Sequence, residues 1–320
     1  MVSQHEPDRL ASHSAVKIRN LPSFFIIGPP RTGTSWLHSV LSQRAWLSHP
    51  TKETRFFDRH FHRGLDWYRT HYRKAATDRP AGEVAPTYFA SSAARERIAR
   101  LIPHARVVCT FRDPVDRVLS LYRLKRAYGL IPWSFQDSIA RDPELIESSR
   151  YADHLKAWQT TLGCAQVLAT FYDDMQRDPQ SYLDTLTDFV GVPPFQMTAA
   201  HLRRVFGSEG MTEPRSYYWT RSAVLLADWA RSRRLDRFVA KAKQLGALKL
   251  FVGGGAPFSD LPPAERHKLR QIFLPEVEKL EALLNRDLSA WKEPNGNQTS
   301  RLGSQVLCSR FLASSTCVEE

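Results

Sequence analysis

The stretch Phe24-Phe25-Ile26-Ile27-Gly28-Pro29-Pro30-Arg31-Thr32-Gly33-Thr34-Ser35-Trp36-Leu37-His38 changes its hydrophobic period halfway. Phe24 to Ile27 is an unbroken apolar run, the pattern of a strand buried on both faces. From Thr34 the apolar residues Trp36, Leu37, Val40 and Leu41 recur at helical spacing, so a helix begins where the strand has just ended. A tight polar turn separates the two. Gly28 and Gly33 allow close backbone approach, the helix start offers unpaired N–H groups, and Thr32, Thr34 and Ser35 add hydroxyls. Arg31 brings a permanent charge with forked donors. Such a turn suits an anion with several oxygens, although a strand-to-helix bend without a ligand can use the same glycines.

Gly28-x-x-x-x-Gly33 has the spacing of a nucleotide triphosphate P-loop, but Thr34, followed by Ser35, stands where that motif needs lysine. An ATP-dependent kinase of the P-loop class is the runner-up reading, lacking that lysine and a recognisable magnesium site. A second apolar run, Arg106 to Phe111, reads as another buried strand with Arg112 at its carboxyl end. A helix follows it, with Asp113 as cap, Pro114 at the first position and Asp116 in the positive first turn. Val115, Val118, Leu119 and Tyr122 form its core stripe and leave Ser120 off centre. Ligands of open α/β sheets bind beyond the carboxyl ends of the strands, which places Arg112 near the first loop. An ion pair of Arg112 with Asp113 or Asp116 is the alternative.

Gly82 to Phe89 reads as a strand-like piece broken by proline, and Gln166 to Tyr172 as a third apolar run. Helical patterns cover 93–101, 151–158, 178–190 and 261–285. Phe61, Trp67, Tyr68 and Tyr72 read as core packing, and Lys52 and Glu53, on spacing alone, as ordinary surface. Residues 221–249 are helical in pattern and crowded with Arg and Lys, a solvated face or a polyanion patch; the latter gives a third, non-catalytic reading. Gly253 to Gly255 reads as a flexible loop. The expectation is a single α/β domain over 21–292, with a central mainly parallel sheet flanked by helices and a P-loop-like turn. The polar segments 1–20 and 293–320 are expected to be disordered.

With 320 residues and 42% apolar content, the chain can bury a substantial core. Lys and Arg number 45 against 33 Asp and Glu, a net charge of +12 that points to an anionic ligand or partner. No aromatic-interleaved basic repeat or zinc-ligand spacing supports a specific nucleic acid. The four cysteines lack metal-ligand or C-x-x-C spacing. Cys109 and Cys164 read as buried thiols in a reducing compartment, and Cys308 and Cys317 in the tail could pair. No window reaches the roughly eighteen apolar residues of a transmembrane span, and residues 1–20 lack a signal-peptide core. A cytoplasmic protein without a metal is expected.

In this order the pieces resemble the sulfotransferase family that uses 3′-phosphoadenosine 5′-phosphosulfate (PAPS). Gly28-Pro29-Pro30-Arg31-Thr32-Gly33-Thr34-Ser35-Trp36 resembles its 5′-phosphosulfate loop, and Phe111-Arg112-Asp113-Pro114-Val115-Asp116-Arg117-Val118-Leu119-Ser120-Leu121-Tyr122 its 3′-phosphate motif. Lys52-Glu53-Thr54-Arg55-Phe56-Phe57, with Gly64-Leu65-Asp66-Trp67-Tyr68, is similar to the heparan sulfate branch. Arg150-Tyr151, Tyr172-Asp173-Asp174-Met175 and Asp178-Pro179 fit bacterial members, and the likeness extends over about residues 22–292. The resemblance implies in-line sulfuryl transfer from PAPS to a hydroxyl or amine of a glycan, lipid or small metabolite. It implies Glu53 as general base, with Lys52 beside it to orient acceptor or sulfate; His60 and His62, able to accept a proton near neutral pH, are the competitors for the base. Arg31, Thr32, Gly33, Thr34 and Ser35 would hold the 5′ side, Arg31 also bearing on catalysis. Arg112 and Ser120 would hold the 3′-phosphate, and Trp36 would stack on adenine. The chain departs from the family in having Arg31 where lysine is usual and Val84 where heparan-type enzymes carry lysine. It also lacks, near Glu83 to Pro86, the histidine base of the steroid and phenol branch.

Overall fold

β1 (Phe24–Ile26) forms the middle of a five-stranded sheet with β2 (Trp46–Leu47), β3 (Ala81–Val84), β4 (Arg106–Phe111) and β5 (Val167–Phe171), in the order β2-β3-β1-β4-β5. Every pairing is parallel. The computed structural model describes residues 21–72, 79–206, 211–232 and 253–293. The expectations for segments 1–20 and 294–320, for 233–249 and for Cys308 and Cys317 fall outside these residues.

The apolar run that opens the chain's decisive stretch is buried on both faces. Phe24 and Ile26 enter one core cluster, Phe25 and Ile27 the other, and all four are 0% exposed. On the first side lie α1 (Thr34–Leu41), through Trp36, Leu37, Val40 and Leu41, and the helix Pro179–Val190. On the second lie α2 (Ser92–Leu101), α3 (Pro114–Ala127), α4 (Tyr151–Leu162) and the long helix Pro263–Leu284. This is the α/β architecture expected, a parallel sheet covered by helices on both faces.

Topology places the site. From β1 the chain builds β2 and β3 to one side, then crosses to β4 and β5 on the other, so the carboxyl end of β1 is a switch point where such sheets hold ligands. Four segments emerge at that edge of the sheet: the turn after β1, Ala85-Pro86-Thr87 after β3, Arg112 after β4 and Tyr172 after β5.

Two expectations are corrected. Gly254 and Gly255 belong to a strand, Gly254–Pro257, paired antiparallel with Thr212–Pro214. A Cβ on Gly255 would come within 2.7 Å of the Glu213 carbonyl oxygen, so the glycine that argued for a loop is what permits the close pairing. Cys164 is exposed, in a short turn after α4, while Cys109 is buried as expected. Between Leu162 and Val167 the apolar pattern lapses, and Cys164 falls in that gap.

Candidate active site

Gly28 closes β1 against its neighbour. A Cβ there would stand 2.6 Å from the Thr110 backbone nitrogen, so Gly28 is required by packing on β4. The turn then passes Arg31 at φ 80° and Gly33 at φ 91°, and α1 begins on Gly33 with no side-chain cap. A left-handed conformation costs little at glycine and is rarely adopted by arginine, so the loop holds Arg31 in a strained backbone. Thr32 is buried, and its hydroxyl donates to the Pro29 carbonyl at 2.8 Å, which fixes the turn from inside. No side chain caps the first N–H groups of α1, which starts at the carboxyl end of β1.

Three segments meet this turn. Lys52 Nζ donates to Ser35 Oγ at 3.0 Å and lies 3.3 Å from Glu53 Oε1, with about a third of each side chain exposed (30% and 31%). Arg31 Nε donates to Ser120 Oγ at 2.8 Å, joining the turn to α3. Arg112 Nη1 approaches the Arg31 carbonyl oxygen at 3.4 Å, and its guanidinium lies 4.8 Å from the centroid of the Tyr172 ring. The Tyr151 hydroxyl, donating to the Arg112 carbonyl at 3.0 Å, steadies that residue's backbone.

The acids beside Arg112 are committed elsewhere. Asp113 caps α3, accepting from the Val115 and Asp116 N–H groups at 2.8 and 3.1 Å, and pairs with Arg270 at 3.2 Å. Asp116 pairs with Arg266 at 3.0 Å. Among the described residues Arg31 and Arg112 have no carboxylate partner. Burial and then the nearby Arg112 charge lower the Arg31 pKa. Burial lowers that of Lys52; Glu53 opposes the shift and Arg31 adds to it. The site is thus a crowd of cations with one carboxylate, Glu53, at its edge.

Arg31, Thr32, Gly33, Thr34, Ser35, Lys52, Glu53, Arg112 and Ser120 are therefore brought to one place. Trp36 is not. It is 6% exposed, its indole N–H donates to the His201 carbonyl at 3.0 Å, and its ring packs 6.4 Å from that of Tyr182. Its place in the helical stripe already marked it as a core residue. His60 and His62 face each other and His60 faces Trp67, with centroids 6.2 and 5.8 Å apart.

Two residues escaped sequence reasoning. His38, one turn into α1, is pushed down to a pKa of about 4 by burial and then by the Lys52 charge, and its Nε2 is buried without a hydrogen-bond partner. Glu83, inside β3, is a fully buried carboxylate bonded to Thr54, Tyr68 and Tyr88. An acid in a short apolar strand was the available signal. Among the described residues no group of three or more His, Cys, Asp or Glu could hold a metal ion, and no helix is long and apolar enough to cross a membrane.

A cation-rich turn at the switch point of a parallel sheet defines an anion-binding α/β protein. The family model described as "Sulfotransferase domain" matches residues 21–207, and the chain belongs to that family, as its motifs led us to expect. It is similar to the bifunctional heparan sulfate N-deacetylase/N-sulfotransferase 2 of Bos taurus, 30% identical over 199 residues that cover 55% of this chain and 22% of the relative. Enzyme 3 of the same name from Homo sapiens is 30% identical over 203 residues, 54% and 23% of the two chains. The chain thus spans less than a quarter of the length of these relatives. A crystal structure of a sulfotransferase from Alicyclobacillus acidocaldarius shares the fold, with a TM-score of 0.61, 23% identity, and coverage of 85% of this chain and 99% of that one.

Proposed function

We propose that this protein transfers the sulfuryl group of PAPS to a hydroxyl or amine of an acceptor. The observation that carries the reading is the mutual crowding of Arg31, Lys52 and Arg112 at the uncapped start of α1. Burial and then the Arg112 charge weigh on Arg31, and burial and the Arg31 charge on Lys52, and an anion among them relieves both. The residues fit a donor with two separated anionic groups, because the cations fall on two sides of the turn, Lys52 with Ser35 and Arg112 toward α3.

When bound, the donor would supply an activated sulfuryl group on a phosphate that leaves as an anion. Arg31, Ser35 and the N–H groups of Gly33 to Ser35 would hold the 5′ side, where negative charge grows, and preorganised donors act most strongly on developing charge. Arg112 and Ser120 would hold the 3′-phosphate. Glu53 would accept the acceptor's proton as the new bond to sulfur forms and the old sulfur–oxygen bond breaks. Lys52, between Ser35 and Glu53, would orient the incoming group. Trp36 serves in this reading as a wall behind the loop, its indole being already packed and bonded.

The acceptor is proposed at the level of a glycan, lipid or small metabolite. The names of the relatives bring an amine-bearing glycan to the front of a screen with labelled donor. The cytoplasm is proposed as the compartment; among the described residues Cys109 is a buried thiol, as a reducing compartment allows.

Calorimetric titration with adenosine 3′,5′-bisphosphate, run against ATP with magnesium, tests the donor assignment. The bisphosphate should bind and ATP bind more weakly. Failure of the bisphosphate to bind would overturn the reading.

A further inference from the structure

Glu83 has no exposed surface, and its partners can all donate. Oε1 accepts from the Thr54 backbone N–H at 3.0 Å, from the Thr54 hydroxyl at 2.6 Å and from the Tyr88 hydroxyl at 3.2 Å. Oε2 accepts from the Tyr68 hydroxyl at 2.6 Å. Four donors around one buried carboxyl match its ionised form. Burial raises the pKa, and the hydrogen bonds from Thr54, Tyr68 and Tyr88 pull against that rise.

The order extends one bond further. Thr54 Oγ1 accepts from the Phe56 N–H at 3.1 Å, and the Tyr88 hydroxyl accepts from the Phe57 N–H at 3.3 Å. One carboxylate therefore organises the N–H groups of residues 54, 56 and 57, directly or through a hydroxyl. Between them Arg55 is held at φ 52°, a left-handed backbone that persists in a non-glycine residue only where its surroundings over-determine it. The Thr54 N–H belongs to the peptide that leaves Glu53, and on the other side the Ser48 hydroxyl ties down the Lys52 carbonyl at 2.7 Å.

We propose that Glu83 is a positioning residue: its buried carboxylate fixes the Glu53–Thr54 peptide and so aims Glu53 toward Lys52 at the Ser35 end of the donor loop. The proposal rests on the reading of Glu53 as general base. Glutamine in place of Glu83 keeps the shape and removes the charge, and its NH₂ group faces a hydroxyl that had been donating.

Hydrogen exchange in the ligand-free protein tests the clamp. Glu83→Gln should speed exchange at the Thr54, Phe56 and Phe57 amides by about tenfold or more while β1 and β4 keep their protection. Kinetics with labelled PAPS and an amine-bearing heparan oligosaccharide test the consequence. Glu83→Gln should lower kcat about 10- to 100-fold with bisphosphate Kd unchanged, the effect of misaiming a reacting group by a fraction of its reach. In a Glu53→Gln background the same change should alter kcat little, because both act through one group.

Wild-type exchange at those amides, or an equal kcat loss with and without Glu53, would overturn the proposal. Should Glu83→Gln not fold, Thr54→Val removes one donor to the carboxylate, and the same two readouts apply. Normal turnover of Glu53→Gln alone would remove the base assignment, a failure separate from that of the exchange experiment.

Discussion

Arg31 Nε donates to Ser120 Oγ at 2.8 Å across 89 residues of sequence, so the turn after β1 and the helix after β4 share a hydrogen bond. In the proposed reading that serine also meets the 3′-phosphate, and the cation of one clamp rests on a hydroxyl of the other. Ser120→Ala should weaken adenosine 3′,5′-bisphosphate by about 10- to 100-fold, the range of a hydrogen bond to a charged group. Arg31→Lys keeps the charge but gives up the Nε donor, and should retain much of the activity, since lysine is what the resemblance expects there. An inactive but folded lysine variant would show that the planar fork is needed.

Arg112 can be separated from Arg31 by ligand choice. Its acidic neighbours are engaged with Arg270 and Arg266, and among the described residues its own side chain meets the Arg31 carbonyl and the Tyr172 ring. Arg112→Ala should weaken the bisphosphate by about 1.5–3 kcal/mol and adenosine 5′-phosphosulfate little, because only the former has a 3′-phosphate. Calorimetry of both ligands decides; equal losses would remove Arg112 from that role.

The sheet was legible because its strands are short apolar runs bounded by turns, and β1 and β4 together located the site. β2, two residues long, carries too little pattern to read. Arg31, Ser35 and Arg112 could be singled out from the residues because each sits at a fixed offset from a glycine or a strand end, whereas Glu53 and Ser120 were named only through the family resemblance, spacing alone reading them as ordinary surface and helix. For Trp36 the family motif and the helical stripe pointed different ways, to adenine and to the core, and the direction of its indole is set by Tyr182 and His201, which arrive from far along the chain. Glu83 is the same lesson in reverse. Nothing near it in sequence says that Thr54, Tyr68 and Tyr88 will converge on it, yet their convergence is what makes its burial tolerable.

His38 supplies a pH test that needs no ligand. Its pKa of about 4 in the folded chain lies below the ordinary 6.5, so between these values the unfolded chain binds the extra proton. Stability from this group is complete above the ordinary value and is lost as pH falls through the folded one. Urea midpoints should therefore drop from pH 7 toward pH 4.5, and His38→Leu should flatten that part of the profile. Lys52→Met should raise the His38 pKa partway, leaving the part due to burial. An NMR titration placing His38 near its ordinary value in the native protein would remove the effect.

In the proposed reading Glu53 is the general base. An acceptor hydroxyl or ammonium-derived amine becomes a useful nucleophile only as its proton is taken up, and a carboxylate within about 2.6–3.2 Å can take it. Glu53 is partly exposed, lies 3.3 Å from Lys52 Nζ, and through Lys52 is one contact from Ser35 on the donor loop. His60 and His62 instead face each other, and the pKa of His60 is lowered by burial and then by Arg63. Glu53→Gln should leave bisphosphate affinity nearly unchanged and reduce kcat by about 10²–10⁴-fold. Lys52→Met should weaken binding of the 5′-phosphosulfate as well as turnover, because it removes the cation that donates to Ser35 on the loop. If Glu53→Gln turns over normally while His60→Ala or His62→Ala does not, the proton is taken by an imidazole and the base has been misassigned.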